Sequence, residues 1–481
     1  MGITIGPFST AGQMLAALDA GEVSAVELTE LHLARLDAHD GALNAVPVRT
    51  TERALVAARS ADAARSRGER SALLGLPMTL KESTQTAGLA QSAGIAQLKD
   101  HVPTGDGPIA RSVFAAGAGL LGKTNIPVAL GDWQADSPVY GRTNNPWDLA
   151  RTPGGSTGGG GAALAAGLTP LEIGSDIGGS IRVPAAYCGV YGHRPTETAV
   201  PKAGIFPFAD LPNAGAIMGV QGPLARSAFD LELLFDVISG PDIGEDVGWR
   251  LALPAARHER LADFRVAIMP LLALVEPSAA MAAKVDELAT FLGNAGATVA
   301  EAMPAIDHDA YFHDYLVLLT MLTGQGQSRA EREARAAGLR NASDVVAAAI
   351  ADGSVLDAYD LQLLLGRRAR AQQEWRSFFT QWDVLVCPTA LDAAFTHQSD
   401  PQNERTLDVD DRSVPYMLNI VYPMWAIFAG LPATAFPAGL NTQGLPLGLQ
   451  AIGPYLEDRT TLRFAQLLEH HWHRFEPPPG Y

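Results

Sequence analysis

The pattern of hydrophobic and polar positions divides the 481-residue chain into helical and mixed segments. Residues 9–70 mix apolar with charged positions, as amphipathic helices do, and Ser24 with Glu27 forms the S-x-x-E pattern of a helix start. From Leu73 to Thr196, short apolar runs alternate with Gly, Ser and Thr, which is typical of strands, turns and loops. Residues 243–380 return to helical composition with short strands between. Helices and strands therefore alternate throughout, which predicts an α/β layered fold.

Individual elements follow from the apolar runs and from the turn residues that bound them. Strands are predicted at 75–81, 264–269, 297–302 and 383–388, and a strand pair joined at Asn441–Gly444 is predicted within 431–453. Residues 112–125 indicate a helix end, a turn and a strand, 162–167 and 356–380 indicate helices, and 171–180 indicates a strand running into a tight loop. The glycine-rich stretch 152–161 is predicted to be a loop.

The composition indicates a large core and an acidic surface. Apolar residues make up 47% of the chain, and 35 basic against 52 acidic side chains give a formal charge of −17. This charge argues against nucleic acid or an anionic membrane as a partner and favours a small-molecule substrate. The two cysteines, Cys188 and Cys387, lie in apolar stretches and are expected to be buried thiols. Because no secretory signal is visible at the N-terminus, we expect a cytoplasmic protein.

The most apolar segment is Tyr416–Phe436, which is long enough to span a bilayer. It contains Asn419, Pro423 and Pro432, which are unfavourable in such a helix. We interpret the segment as buried core or as the lining of a substrate channel. No membrane partner is therefore expected.

Lys81 ends a predicted buried strand and could act there as a base. Burial disfavours the ammonium form and lowers the pKa of a lysine towards neutrality. The alternative is a lysine that reaches solvent from the strand end or pairs with Glu82.

Two glycine-rich loops carry the candidate nucleophiles. Gly154–Gly159 surrounds Ser156; the alternative is a flexible surface loop, but the apolar residues 162–167 should anchor it in the core. A Gly-Gly pair precedes Ser180, and the consecutive N–H groups of such a turn can bind a developing oxyanion beside a serine nucleophile. The alternative is a simple turn capped by Asp176.

Together these segments resemble the amidase signature family, in which a GGSSGG loop is followed by DxGGSxR and a lysine ends an earlier strand. The spacings 180 − 156 = 24 and 156 − 81 = 75 suit that pattern. The resemblance runs from about residue 20 to the C-terminus and includes LGKTNIP (121–127), YGRTNNPWD (140–148), SIRVPAAYCGVYGHRPT (180–196), 221–242, 384–389 and 431–454. Three positions depart from the pattern without removing a catalytic group: Thr157 for serine, Glu82 after the lysine, and His193 in GHRPT.

The resemblance implies one α/β domain with a central mixed β-sheet covered by helices on both faces. Residues 1–70 would be an N-terminal helical segment packed on the core, and residues 71–481 would be the amidase signature domain. Residues 303–355 are expected to form a variable cap, whose shape the sequence does not predict.

The resemblance also implies a Ser-cisSer-Lys triad. Ser180 would attack the carbonyl carbon, and Ser156, after a cis peptide bond, would relay its proton to a neutral Lys81. The implied oxyanion donors are the N–H groups of Ile177, Gly178, Gly179 and Ser180. The residues implied to fix the loops are Gly155, Thr157, Asp176 and Arg182. No cofactor and no metal is implied.

The implied reaction is hydrolysis of an amide-type C–N bond, from carboxamide to acid and ammonia or amine, through an acyl-enzyme. The family also includes enzymes that act on aryl acylamides, oligoamides and carbamates (urethanes). The alternative is the amidase component of a glutamine-dependent amidotransferase, which acts with partner subunits. A homodimer is also left open.

Aromatic and apolar residues near the motifs are the candidates for a substrate pocket. They are Trp133, Ile205, Phe206, Phe208, Tyr416, Trp425 and Phe428, of which about half are expected to be ordinary core. This set favours a neutral hydrophobic or aryl acyl group over a charged one.

Three other motifs compete with this interpretation. Gly117–Thr124 fits the phosphate-binding loop G-x-x-x-x-G-K-[ST], but Pro127 would disrupt the helix that must follow. Gly154–Gly158 fits the nucleophile elbow G-x-S-x-G, with His397 as a base, but lacks an apolar strand before it. The histidines near the C-terminus, beside Glu469, are more typical of a solvated helix end than of a metal site; they are His470, His471 and His473.

Overall fold

Strands and helices alternate along most of the chain, as the hydrophobic pattern predicts. The computed structural model of the protein describes residues 5–207, 217–324, 326–340 and 344–481. The strands in these ranges are β1 (Val48–Arg49), β2 (Pro77–Lys81), β3 (Gly119–Thr124), β4 (Asp136–Ser137), β5 (Gly141–Arg142), β6 (Leu171–Asp176), β7 (Tyr191–Arg194), β8 (Val220–Ala225), β9 (Arg265–Ile268), β10 (Thr298–Glu301), β11 (Val384–Pro388), β12 (Thr406–Val409), β13 (Arg412–Pro415), β14 (Ala433–Leu440) and β15 (Pro446–Ile452). The α-helices there are α1 (Ala11–Ala20), α2 (Ala25–Leu43), α3 (Thr51–Ser66), α4 (Pro108–Ala115), α5 (Gly158–Ala165), α6 (Arg182–Cys188), α7 (Ala228–Ile238), α8 (Ala279–Asn294), α9 (His308–Thr323), α10 (Arg329–Leu339), α11 (Val345–Ser354), α12 (Ala358–Gln381), α13 (Met424–Ala429) and α14 (Asp458–His471).

Eleven of these strands form one mixed sheet in the order β1-β3-β2-β6-β8-β7-β14-β15-β11-β9-β10. β2 runs parallel to its neighbours β3 and β6, whereas β8, β7, β14 and β15 run antiparallel to theirs. Because parallel strands end at the same edge of a sheet, the segments that follow β2 and β6 lie close together. That edge carries Lys81 at the end of β2 and the loop Ile177–Ser180 after β6.

Helices cover both faces of this sheet. Alternate residues of a strand point to opposite faces; in β11, Val384 and Val386 pack into one hydrophobic core, and Leu385 and Cys387 pack into another. The first core includes residues of α1, α2, α7, α8 and α14, and the second includes residues of α9, α11, α12 and α13. The predicted α/β fold with a central mixed sheet between helices is therefore confirmed.

The first N-terminal helix, α1, is joined to this core by hydrogen bonds at its first turn, and residues of α2 and α3 belong to the first hydrophobic core. Asp230 of α7 accepts the N–H groups of Ala11 and Gly12 at 2.8 and 2.9 Å, which caps α1. Ser24 and Glu27 form the predicted capping box at the start of α2. The helices α1–α3 thus pack on the rest of the domain, and the boundary at residue 70 stays a prediction.

The predicted strands are present, but the glycine-rich stretch 152–161 differs from the prediction. Its last four residues are not loop but the first turn of α5, which begins at Gly158. Glycine is a poor helix former, yet here it lets α5 lie directly on the sheet. A Cβ on Gly160 would stand 2.6 Å from Glu172 Cγ, and one on Gly159 would overlap the backbone of Asn125. Tertiary packing therefore overrides the local preference of these residues.

The apolar segment Tyr416–Phe436 belongs to the buried core, which is one of the two interpretations of its sequence given above. It forms a short 3₁₀ helix, Tyr416–Ile420, followed by α13 and the first residues of β14, and nearly all of it is buried. In the part of the chain that the structure describes, no helix is both long and apolar enough to cross a bilayer. Cys188 and Cys387 are free, buried thiols, as predicted.

Candidate active site

Lys81 is buried at the end of β2, where its amine contacts two serine hydroxyls. Lys81 Nζ lies 2.7 Å from Ser156 Oγ and 3.0 Å from Ser175 Oγ. Burial lowers the pKa of Lys81 to about 7, although the charges of Asp176 and Glu172 act in the opposite direction. A substantial fraction of this amine is therefore neutral near pH 7 and can accept a proton.

Glu172 lies on the same face of the sheet as Lys81. Residues paired in register share a face, and Thr79 pairs with Glu172 while Lys81 pairs with Thr124. Thr124 Oγ1 donates to Glu172 Oε1 at 2.8 Å. Burial raises the pKa of Glu172 to about 8, despite the hydrogen bonds from Thr79 and Thr124. Burial therefore favours the neutral carboxyl, which weakens the counter-charge that Glu172 offers to Lys81.

Ser156 and Ser180 belong to two loops that are hydrogen-bonded to each other. The peptide bond between Gly155 and Ser156 is cis, as the family resemblance implies. The N–H of Thr157 donates to the carbonyl oxygen of Ser180 at 3.2 Å, next to both serine side chains. Ser156 is 1% exposed and Ser180 is 6% exposed, so the site is largely shielded from bulk water.

Gly155 and Thr157 fit tightly into the loop on either side of Ser156. A Cβ on Gly155 would collide with the backbone of Asp132 and Trp133. Thr157 is fully buried, and its hydroxyl has no hydrogen-bond partner within the described ranges. Packing therefore holds both positions in place.

Asp176 and Arg182 hold the loop between β6 and α6. Arg182 donates to both carboxylate oxygens of Asp176, at 3.0 and 3.1 Å, and both side chains are completely buried. Burial acts to raise the pKa of Asp176, but the charge and hydrogen bonds of Arg182 outweigh it and bring the pKa to about 2. The carboxylate therefore stays ionised, and it also accepts the N–H groups of Gly179 and Ile181 at 3.0 and 3.3 Å.

The peptide groups from Ile177 to Ser180 are held in fixed orientations. The donors to carbonyls along the loop are Arg194 Nη1 to Asp176 O at 2.8 Å, Tyr315 OH to Ile177 O at 3.0 Å, Trp133 Nε1 to Gly178 O at 3.0 Å, and the Val183 N–H to Gly179 O at 2.7 Å. The Gly179 N–H donates to Asp176, whereas the N–H groups of Ile177, Gly178 and Ser180 find no acceptor among the described residues. Fixed N–H groups without a partner are what an oxyanion site requires.

Two of the predicted pocket residues, Trp133 and Tyr416, lie near this loop. Trp133 packs against Tyr416, with ring centroids 5.2 Å apart, and both side chains are almost fully buried. Ile205 and Phe206 are half-buried in the turn before residue 208. Phe208, another predicted pocket residue, lies outside the described residues.

Trp425 and Phe428 are placed differently from the other predicted pocket residues. Both lie on α13, and each packs on Tyr311 of α9 with ring centroids 4.8 Å apart. Each is 1% exposed and belongs to the second hydrophobic core. The structure therefore places these two side chains in core packing between α13 and α9.

The residues of the three competing motifs have local structural roles. Lys123 and Thr124, at the end of the phosphate-loop pattern, lie inside β3 rather than at the start of a helix. His397 Nε2 lies 3.1 Å from Asn144 Oδ1, and His473 Nε2 lies 3.2 Å from Glu287 Oε1.

The sequence-based prediction did not include Ser175, the second hydroxyl at Lys81. A signal for it existed, because Ser175 precedes the tight loop of the predicted segment 171–180, much as Lys81 stands at the end of its own strand. Tyr315, which donates to the loop from α9, was also missed. Its position in the variable cap gives no sequence signal for this contact.

The mixed sheet and the buried lysine–serine cluster agree with the class of protein that the motifs predict, the amidases. A sequence model described as Amidase matches residues 27–462. A glutamyl-tRNA(Gln) amidotransferase subunit from Thioalkalivibrio sulfidiphilus (strain HL-EbGR7) is 33% identical, over 97% of this chain and 98% of the relative. Indoleacetamide hydrolase from Bradyrhizobium diazoefficiens is 32% identical, over 92% of this chain and 83% of the relative.

The fold is also similar to that of a solved structure. A crystal structure of a bacterial aryl acylamidase of the amidase signature family has a TM-score of 0.81 with this chain, covering 97% of it and 96% of the acylamidase, at 22% sequence identity. The chain belongs to the amidase signature family.

Proposed function

We propose that the protein hydrolyses amide-type C–N bonds through Ser180, Ser156 and Lys81, with a covalent acyl-enzyme intermediate. The observation that carries this proposal is the buried Lys81 amine, 2.7 Å from Ser156 Oγ and with a pKa of about 7. A serine hydroxyl is a weak nucleophile until a base takes its proton, and a neutral amine at this place supplies that base.

Acylation begins when Ser180 Oγ adds to the substrate carbonyl carbon. The Ser180 proton passes to Ser156, and Ser156 passes its own proton to Lys81. The carbonyl oxygen becomes an oxyanion, to which the N–H groups of Ile177, Gly178 and Ser180 donate. Gly179, the fourth predicted donor, instead gives its N–H to Asp176. One such donor typically contributes about 10²- to 10³-fold to kcat.

The same groups then return the proton. The Lys81 ammonium gives a proton through Ser156 to the leaving nitrogen, because an unprotonated amide nitrogen leaves poorly as an anion. The C–N bond breaks, and ammonia or an amine departs. Water attacks the acyl-enzyme ester while its proton moves to Lys81 by the same route. Collapse of this second intermediate returns the proton to Ser180 Oγ and releases the acid.

Four further residues hold these groups in place. Asp176 and Arg182 fix the loop that carries Ser180, and Gly155 and Thr157 fix the loop that carries Ser156. Their role is positional: each contacts the protein backbone or another side chain, as described above.

A neutral hydrophobic or aryl substrate fits the surroundings of the loop best. The nearby aromatic residues are Trp133 and Tyr416, and the charges beside them are already paired, because Arg405 Nη1 lies 2.6 Å from Asp132 Oδ2. Relatives named indoleacetamide hydrolase and aryl acylamidase support an aryl group. Carbamates and oligoamides contain the same carbonyl–nitrogen bond and remain within this proposal.

A second function is favoured by the relatives that are named as subunits of glutamyl-tRNA(Gln) amidotransferase. In that case the chain would release ammonia from an amide only when it is assembled with partner subunits. The two functions share the Ser180 chemistry and differ in whether the isolated chain turns over.

A substrate panel tests both proposals. The purified chain is assayed alone on primary amides including indole-3-acetamide and glutamine, on 4-nitroacetanilide, on oligoamides and on aryl carbamates. We expect hydrolysis of at least one aryl amide or anilide, and a loss of about 10⁴-fold or more in Ser180→Ala. Activity that persists in Ser180→Ala would refute the mechanism. If the isolated chain is inactive on every compound, the amidotransferase function is favoured.

A further inference from the structure

The hydroxyl of Tyr315 connects the cap to the loop that precedes Ser180. Tyr315 lies on α9, within the segment 303–355, and donates to the carbonyl oxygen of Ile177 at 3.0 Å. The side chain is completely buried, so bulk water does not compete for this carbonyl. The contact joins residues that are 138 positions apart in the chain.

The hydrogen bond fixes the direction of one particular N–H group. The carbonyl of Ile177 and the N–H of Gly178 belong to the same planar peptide, and in a trans peptide they point in opposite directions. A donor that holds the carbonyl therefore also directs the N–H. The Gly178 N–H is one of the three loop N–H groups that have no acceptor in the described part of the chain. Hydrogen bonding at the carbonyl also polarises the peptide and strengthens its N–H as a donor.

The next peptide provides an internal contrast. Its carbonyl, on Gly178, accepts from Trp133 Nε1 at 3.0 Å, but its N–H, on Gly179, already donates to Asp176 at 3.0 Å. The Trp133 contact therefore orients a peptide whose N–H is occupied. The Tyr315 contact, by contrast, orients a peptide whose N–H is unoccupied within the described ranges.

Helix α9 is itself held in a fixed position. Asp314, next to Tyr315, accepts from Arg367 Nε and Nη2 of α12 at 2.7 and 2.8 Å. One turn earlier, Tyr311 OH donates to the carbonyl oxygen of Trp425 on α13 at 2.8 Å. The Tyr315 hydroxyl is thus presented by a helix that is anchored on two neighbouring helices.

We propose that Tyr315 is a positioning residue for the oxyanion site, acting by holding the Ile177–Gly178 peptide so that the Gly178 N–H faces the reacting carbonyl. This inference rests on the proposed hydrolysis through Ser180. It assigns to helix α9 a role in the rate of the chemical step.

The test compares Tyr315→Phe with Tyr311→Phe. Both variants remove one buried phenol hydroxyl from the same helix, and with it one hydrogen bond to a backbone carbonyl. Tyr311→Phe also leaves Trp375 Nε1 without its acceptor, so it loses at least as much hydrogen bonding. The carbonyl that Tyr311 contacts, on Trp425, lies outside the loop that precedes Ser180.

For Tyr315→Phe we expect kcat to fall about 10- to 100-fold while KM changes less than about threefold, because the lost interaction acts on the transition state. Tyr311→Phe should keep kcat within about twofold. A trifluoromethyl ketone analogue of the best panel substrate, which adds to Ser180 Oγ as a hemiketal, should lose affinity for Tyr315→Phe by the same factor as kcat/KM. The affinity of the unreactive product acid should not change.

The outcomes separate this inference from the proposed function. If Ser180→Ala abolishes activity but Tyr315→Phe and Tyr311→Phe have equal kcat, the role of Tyr315 is refuted and the hydrolysis mechanism stands. If Ser180→Ala is fully active, the mechanism itself fails. Should Tyr315→Phe not fold at the assay temperature, the comparison is made at a lower temperature at which circular dichroism shows it folded, and a kcat within threefold of wild type there would also refute the role of Tyr315.

Discussion

Two lysines lie on adjacent strands and are both buried, but their surroundings are different. Lys81 ends β2, and Lys123 is the second-last residue of β3; in the register of these strands, Lys123 pairs with Leu80, so the two lysine side chains leave the sheet on opposite faces. Lys81 Nζ contacts the hydroxyls of Ser156 and Ser175, whereas Lys123 Nζ donates to the carbonyl oxygen of Ala90 at 2.5 Å. Burial lowers the pKa of Lys81 to about 7 and that of Lys123 to about 8, the latter against the charge of Glu82.

The difference teaches that burial lowers the pKa of a lysine but does not by itself make the lysine a catalytic base. A hydroxyl can give up a proton to the amine and take it back, so a serine beside Lys81 can take part in proton transfer. A backbone carbonyl only accepts hydrogen bonds, so the Ala90 oxygen beside Lys123 cannot donate a proton to it. The partners of the amine, more than its pKa, distinguish the two sites.

The largest difference is expected between Lys81→Met and Lys123→Met. Lys81→Met removes the amine next to Ser156, and we expect kcat/KM to fall about 10³-fold, within the range of general-base catalysis. Steady-state rates at pH 8 on the best panel substrate measure this. The different roles of the two lysines would be contradicted if Lys123→Met loses as much activity as Lys81→Met, or if Lys81→Met stays within tenfold of wild type.

A smaller effect is expected from the second hydroxyl at Lys81. Ser175→Ala leaves Ser156 as the remaining serine partner and lets the amine shift, which we expect to lower kcat about 10- to 100-fold. Ser175→Thr keeps a hydroxyl at the same place and should restore most of the rate. Equal rates for the alanine and threonine variants would show that Ser175 has no part in orienting Lys81.

The pH dependence sharpens the comparison further. In the proposed mechanism the active form of Lys81 is the neutral amine, and its pKa is lowered to about 7, so activity should be lost as the pH falls through that value. We expect kcat/KM to be flat above about pH 8 and to fall about tenfold per pH unit below about pH 6.5. Lys123→Met should leave this midpoint unchanged. A profile that is flat down to about pH 5, in enzyme that circular dichroism shows to be folded, would contradict the assignment of the base.

The smallest effect on rate is expected at Lys123, where the change should appear in stability. Lys123→Met leaves the partly buried Ala90 carbonyl without its lysine donor, which we expect to lower the free energy of unfolding by about 1–3 kcal/mol. Urea denaturation measures this value, and kcat should remain within about threefold of wild type. A stability equal to wild type together with a large loss of kcat would reverse the roles assigned to the two lysines.

Most of the fold could be predicted from the sequence because its strands are short apolar runs bounded by turn residues. The strands β2, β6, β9, β11 and the pair β14–β15 lie where the pattern places them. The first turn of α5 could not be predicted, because its four glycines favour a loop until the contact with Glu172 and Asn125 is known. Local preference failed where packing between distant segments decides the conformation.

The sequence motifs predicted the three residues of the candidate site that lie in one stretch of the chain. Lys81, Ser156 and Ser180 lie within 100 residues of each other. In the structure the Lys81 amine contacts Ser156, and the N–H of Thr157 donates to the carbonyl oxygen of Ser180. Aromatic residues were harder to interpret, since a core position and a pocket position both require an apolar side chain; Trp425, for example, packs on Tyr311. Tyr315 could not be predicted, because a helical pattern shows that a residue is buried but not which carbonyl it meets.

The first turn of helix α5 lies against Asn125 and Glu172, with no room for a methyl group at Gly159 or Gly160. Ser156 precedes this helix by two residues, so these close contacts help to set the separation between its hydroxyl and the Lys81 amine. Random mutagenesis for altered substrate range should therefore recover viable clones with changes in α9 and the adjoining cap, and almost none with changes in the first turn of α5. Positions where substitutions can change the substrate range and positions that tolerate no substitution thus lie in different secondary-structure elements of the same domain.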